Sequence, residues 1–521
     1  MNVTNTAKAF KPKFVSVIAT LSLSVSASSV MMAQGSTWGV SSGSNLTVSN
    51  SNSVTTITAN PNGRGRIESK SGNNSLLIQN KTSIKGNNGL IVIESSSNST
   101  IQTIQNEGTL TTNGHPVIDI KGSNKTIQNL INKGIMKNNA HNSNSVIRFN
   151  ASSSTISNFT NEGTIEATGG NGIYLENIQI TLTNTGLIKA KNAAIYVSHT
   201  NNDGINLLKN SGTLWSDNGN AISIYSNGGN NNNKSGIATL INESGGVIQG
   251  KENGIELTSL GNNGNKKSSI GSIDNQGSII GKEGAGIVIR KHHQNNGQQN
   301  QLTGQIKVDG LVQGKTAGIL NEGKLGSADG QEVIIVGEQG KIEGVVKNAA
   351  GASLQGNITN KGSGTLALDN QGSVSNNTVI SNTGGGKVEI KDWKVENQSN
   401  GGAGKVKTLH FKGDGITVDN LTINVQNTEV TQIANAFSAE GGADKTKIFT
   451  NTKVKSNDQS VSFDGDLLRG LVANIDGSKT AAAALNRTLI ATATARATFL
   501  DSVMGNALNT LSFLHHRASS S

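Results

Sequence analysis

Apolar positions in the middle of the chain recur in a three-part pattern. The first mark is I-x-x-h-x-N-x-G, with h apolar. It is carried by Ile101–Gly108 and, with small slips, by Ile127–Gly134, Ile156–Gly163, Ile180–Gly186, Ile205–Gly212, Ile237–Gly245 and Ile270–Gly277. The second is an apolar residue two places beyond the glycine: Leu110, Met136, Ile165, Ile188, Leu214 and Ile279, with Ile248 three places beyond Gly245. The third is a small residue followed by Ile-x-h, as in Gly172–Leu175, Ala194–Val197, Ala221–Ile224, Gly254–Leu257 and Gly286–Ile289; Ile118 and Ile147 hold the same place in the first two copies.

The marker asparagines Asn106, Asn132, Asn161, Asn184, Asn210, Asn242 and Asn275 are 26, 29, 23, 26, 32 and 33 residues apart. From each asparagine to the third-mark isoleucine the distance stays between 11 and 15. Length therefore varies elsewhere, where Asn, Ser and Gly accumulate: Asn227–Ser235, Gly261–Ser269 and Lys291–Gln301. Alternation of apolar and polar residues over three to five positions is the period of a strand with one buried face. N-x-G between two such strands reads as a turn, since Gly and Asn tolerate left-handed backbone. One winding cannot bury its own apolar face, but stacked windings can, with insertions emerging as loops. Asparagines stacked from winding to winding would hydrogen-bond as a ladder. Three short strands per repeat of roughly 25 residues predict an all-β chain, a right-handed parallel β-helix rod. A β-propeller needs longer repeats and more aromatics.

Outside this region the pattern loosens. Leu46–Val48, Val54–Ile57 and Leu90–Ile93 read as early coils, and Asn321, Asn360, Asn370 and Asn382 as later N-x-G turns. Residues 34–387 are assigned to the β-helix. Residues 388–475, with longer strands such as Leu421–Val425, are assigned to a C-terminal cap or transition region. Residues 476–521 turn rich in Ala, Thr and Leu, and Leu485, Leu489, Thr492 and Arg496 recur at helical steps, so a C-terminal α-helix is expected. At the other end Lys8, Lys11 and Lys13 precede an apolar stretch from Phe14 to Ala27. With small-residue exits after Ala27 or Ala33, residues 1–33 form a secretory signal peptide, too short in its apolar part for a permanent anchor.

Composition sharpens this reading. Gly numbers 64 of 521 residues, aromatic residues make up 3%, and there is no Cys, which excludes disulfides and thiolate metal sites. The net charge of +10 is spread over 15% charged residues with no run of five Lys or Arg, so a solvated surface is expected and no nucleic-acid partner.

A signal peptide, a long Cys-free Asn/Gly-rich β-solenoid, a transition region and a small-residue helix, in that order, resemble the passengers of type V autotransporters. Thr488–Arg517 is similar to the linker helix that precedes their outer-membrane β-barrel, with Arg487 and Arg496 placed to meet an acidic lining. The resemblance implies a passenger exported across the inner membrane by the export and outer-membrane assembly machinery, then displayed on the cell surface or released. The chain reaches Ser521 without the alternating strands of a barrel. The expectation is a passenger lacking its barrel, held in the periplasm if that loss blocks secretion.

Catalytic signals are sparse. No Gly-Asp-Ser-Gly turn occurs, Asp464-Gly465-Asp466 reads as a turn, and His292-His293 lies in a Gln/Asn loop. No catalytic residue, cofactor or metal is assigned. The expected function is a non-catalytic, adhesin-like rod binding a ligand, protein or glycan, on a host or neighbouring cell through many weak contacts. A toxin-like passenger and a β-helix carbohydrate-active enzyme are the alternatives.

Overall fold

The computed structural model describes residues 38–456, except 52–53, 70–74, 87–88, 94–98, 143, 199–202, 228–233, 261–266, 293–298, 400–404 and 426–427, together with Thr488–Leu489. The chain is all-β over this range apart from two short helices, and 43 strands join in one hydrogen-bonded system. Each strand of the repeat pairs in parallel with its counterpart one coil later, as in a β-solenoid.

Three faces line the coil, and each predicted apolar mark supplies one inward column. On the first face Leu76, Ile104, Leu130 and Phe159 succeed one another in register. On the second, Ile84, Leu110, Met136, Ile165 and Ile188 do so. On the third, Ile91, Ile118, Ile147, Ile173, Ile195 and Ile222 follow. All of these side chains are buried in one continuous core. A parallel array of short strands is stable only because neighbouring coils close this column, each buried Leu or Ile contributing about 1.5–3 kcal/mol.

The asparagine ladder runs along a corner after the first face. Each side-chain amide donates to the carbonyl oxygen of the next: Asn106 to Asn132 at 2.8 Å, Asn132 to Asn161 at 2.7 Å and Asn161 to Asn184 at 2.7 Å. The row continues to Asn210 at 2.8 Å, Asn242 at 2.8 Å and Asn275 at 2.7 Å. The backbone repeats the theme. The Asn106 carbonyl accepts from the N–H groups of both Lys133 and Gly134, and Asn132 serves Glu162 and Gly163 likewise.

The marker glycines have a different cause from the one expected. Gly134, Gly163, Gly186, Gly212, Gly277 and Gly310 do not adopt left-handed φ. Instead, a Cβ on any of them would stand 2.0–2.1 Å from a glycine carbonyl oxygen one coil below. Coil-to-coil approach, not turn geometry, selects glycine here. In the coil with an extra residue Gly245 takes φ +82° and Gly246 occupies the stacking place.

The later N-x-G turns are not one series. Asn275 is followed in its column by Val308 and Val336, after which Asn360 and Asn382 resume it. Asn321, Asn348 and Asn370 form a second ladder, on the column occupied earlier by Leu257 and Ile289. The motif encodes a turn and its ladder, but not which corner it occupies.

Both ends of the described sheet depart from the coil pattern. Leu46–Val48 is not an early coil. It belongs to a strand, Trp38–Ser51, that lies antiparallel on Val54–Ser69, so the first coil's edge is paired rather than left open. The parallel sheet runs on past residue 387 through Lys387–Glu396 to Lys453–Ser456. Two helices, Val430–Asn435 and Lys445–Phe449, close this end. Here Phe449 packs edge-on against Phe411 at 5.7 Å and Phe437 at 5.3 Å, centroid to centroid. Of the segment expected to be helical, only Thr488–Leu489 is described. It is extended and pairs antiparallel with Thr428–Glu429. The rest of that segment lies outside the described residues.

Near this end Glu396 accepts from Lys394 at 2.5 Å and Lys407 at 3.3 Å. Burial alone would raise its carboxyl, but the two ammonium groups hold it below the ordinary carboxylate range. A depressed folded-state value adds stability above the unfolded value of about 4.3, lost as pH falls through the folded one. Glu396→Gln is expected to flatten the acid limb of stability against pH, measured by denaturation midpoints from pH 6 to 3.

Candidate functional site

The third face and the corner that follows it carry most of the variation between coils. In three successive coils this corner is tight. Asn124, Ser153 and Asn177 turn it with φ of 56°, 54° and 55°, and the strands Ile147–Asn161 and Ile173–Asn184 run straight through. Three of the five left-handed non-glycine residues among the described residues lie here, the others being Lys81 and Asn377. In the next four coils the strand ends Ser198, Asn227, Leu260 and Ile289 are followed by the longer segments leading to Asp203, Lys234, Lys267 and Gln301. In register Asn227 lies over Leu260, while Ser198 pairs with Tyr225 and Ile289 with Leu257, so the four segments leave the same face within three residues of one another. The predicted insertions therefore share one corner.

Beside that corner, the outward side of the third face gathers all three tyrosines of the chain. The Tyr174 and Tyr196 rings stack at 5.4 Å and 7°, and Tyr225 lies 6.0 Å from Tyr196 at 31°. Burial pushes the Tyr196 phenol well above its ordinary value, with Tyr174 and Tyr225 adding to the effect, and the Tyr174 phenol rises for the same reason. Both stay neutral hydroxyls at physiological pH. The Tyr174 hydroxyl donates to Glu176 at 3.2 Å.

Ion pairs frame the tyrosines. On one side Arg148 grips Asp119 bidentately, at 2.9 Å and 2.6 Å, and Lys121 adds a third contact at 3.2 Å. Asp119 is outward-facing yet only 5% exposed. The Asp119 hydrogen bond raises the Arg148 guanidinium further above its already high value. On the other side Arg290 meets Glu256 at 3.2 Å and Glu322 at 3.7 Å, and Asn253 donates to Glu256 at 2.7 Å. The Arg148–Asp119, Arg290–Glu256 and Arg290–Glu322 pairs join successive coils, so they fix side chains that would otherwise move freely. Chemically the face offers phenol edges and hydroxyls between charges that are already paired.

The structure brings the seven marker asparagines together as the ladder, where they are buried and serve the fold. Ala27, Ala33, Asp464, Asp466, Arg487 and Arg496 lie outside the described residues. Among the described residues no three His, Asp or Glu side chains converge as a metal would require. The tyrosine row escaped the sequence reading. Tyr174 and Tyr196 were visible as the x of two successive Ile-x-h marks, but Tyr225 lies three places beyond its isoleucine.

No protein-family model, curated protein or solved structure matches this chain.

Proposed function

We propose that the chain is an exported, surface-displayed interaction rod. It is a right-handed parallel β-helix passenger of the type V autotransporter kind, acting without catalysis as an adhesin. Its partner is a protein or glycan on a host or neighbouring cell. The observation that carries this reading is the shared corner. Insertions anchored one above another beside a row of phenols and paired charges repeat a recognition surface along the axis. Repeated weak contacts multiply into useful avidity once two or more engage together. The leader at residues 1–33 supports export, and the absence of cysteine is compatible with passage through an oxidising compartment.

Binding of the purified full-length protein to cells tests the reading. Shortening 228–233 and 261–266 to the tight Asn177-type corner is expected to weaken binding at least tenfold with the circular dichroism spectrum unchanged. Undiminished binding would refute the corner as the contact surface. Cell damage at low dose would favour a toxin-like passenger, and glycan cleavage a carbohydrate-active enzyme.

A further inference from the structure

The outward side of the second face carries a periodicity unrelated to the recognition corner. It occupies the position directly after the glycines on which the coils stack, Gly134, Gly163, Gly186, Gly212, Gly246, Gly277 and Gly310. In register from coil to coil, Ile135, Leu187, Val247 and Leu311 alternate with Thr164, Thr213 and Ser278. The column is bounded by Thr109 on one side and Lys341 on the other. Ile135 is 42% exposed and is the one large hydrophobic residue in that class among the described residues. The flanking outward column is charge-balanced within the chain, through Lys137–Glu166 at 3.0 Å and Lys189–Asp217 at 3.3 Å.

We propose that two copies of this chain pair side by side, antiparallel, through this face. The column repeats every two coils, about 10 Å, and a partner must share that spacing to meet it. A second copy does. A two-fold axis at Thr213 sets Leu187 against Val247, Ile135 against Leu311 and Thr164 against Ser278. Aliphatic then meets aliphatic and hydroxyl meets hydroxyl, the self-complementarity an isologous contact needs. Internal pairing of the flanking charges removes the repulsion that two like faces would suffer. The nine strands from Thr109 to Lys341, about four residues wide, cover about 43 by 13 Å, so the pair buries about 1,100 Å² in total, near the lower bound for a specific interface. Pairing is accordingly weak in solution and strengthened where chains are concentrated on a surface.

Sedimentation equilibrium of the full-length protein from about 1 µM to 1 mM reads the association. Reversible dimers are expected, and Leu187→Glu and Val247→Lys, each alone, raise the dissociation constant at least tenfold. Mixing the two variants restores pairing, because the carboxylate introduced in one copy then faces the ammonium introduced in the other. Thr258→Lys, on the third face, leaves association unchanged. If Leu187→Glu alters the circular dichroism spectrum, Ile135→Glu and Leu311→Lys form the equivalent pair. A protein monomeric at 1 mM, dimers indifferent to these substitutions, or a mixture that stays monomeric would each overturn the proposal.

Discussion

Gly163→Ala will destabilise the protein by about 3 kcal/mol or more. The new Cβ would lie 2.0 Å from the Gly134 carbonyl oxygen and 2.8 Å from the Lys133 carbonyl carbon. Both are backbone atoms of the coil below. Neither can rotate away as a side chain would, so the coils must separate locally. Separation stretches the bonds from Glu162 and Gly163 to the Asn132 carbonyl and opens the Asn132–Asn161 contact beside them. Gly385→Ala is the matched control, since nothing lies within 4 Å of its added Cβ. That change is expected to be neutral or stabilising by up to about 1 kcal/mol, through reduced freedom of the unfolded chain. Guanidinium denaturation midpoints at constant slope provide the comparison. If Gly163→Ala behaved like Gly385→Ala, the coils would not be stacked at the described spacing.

Asn184→Ala is expected to cost about 2–4 kcal/mol. Asn184 accepts from Asn161 and donates to Asn210 and to the Gly186 carbonyl at 3.2 Å, all in the buried interior of the ladder. Truncation removes these bonds and strands the Asn210 carbonyl oxygen, and an unmade buried bond costs more than a made one contributes. Asn275→Ala, at the ladder's end, should cost less. It loses the bond from Asn242 and the donation to the Leu311 carbonyl at 2.9 Å, but strands no asparagine further along. Asn184→Asp adds a pH signature. The Asp side chain turns an acceptor toward the Asn210 oxygen in a buried row, raising its folded-state value above the unfolded value of about 3.9. Such a group destabilises once pH exceeds the unfolded value, so Asn184→Asp should be closer to the wild type at pH 4 than at pH 7.

The legible part of the fold was the part that repeats. Marker asparagines at Asn106–Asn275, with the apolar marks that follow, gave three faces, a ladder and one buried column, because each coil solves the same packing problem with the same residues. Three things were hidden, each for a physical reason. The glycine in N-x-G looks identical whether it relieves backbone strain or makes room for another coil, and Gly163 shows the second. Asn321 and Asn360 carry the same turn signal, but corner assignment depends on how many residues precede the turn within its coil. Leu46–Val48 alternates like any strand, and nothing local distinguishes a parallel coil from the antiparallel strand that caps it. The site was less legible than the fold. The insertions were evident from Asn227–Ser235 onward, but Tyr174, Tyr196 and Tyr225 meet only through stacking, at separations of 22 and 29 residues. The column at Ile135, Leu187 and Val247 was likewise present in the letters after each glycine, and gained meaning only once those letters lay side by side.

Because the chain has no native cysteine, paired spin labels can measure the stack without background. Gln105, Thr183 and Ile335 face outward on one column of the first face, with Thr183 three coils from Gln105 and Ile335 five coils from Thr183. With cysteines at each pair of these positions, dipolar spectroscopy should give distances of about 14, 24 and 38 Å. The longest would equal the two shorter ones laid end to end. Broad distributions, or a Gln105–Ile335 distance well short of that length, would contradict the stacked coil on which the whole account stands.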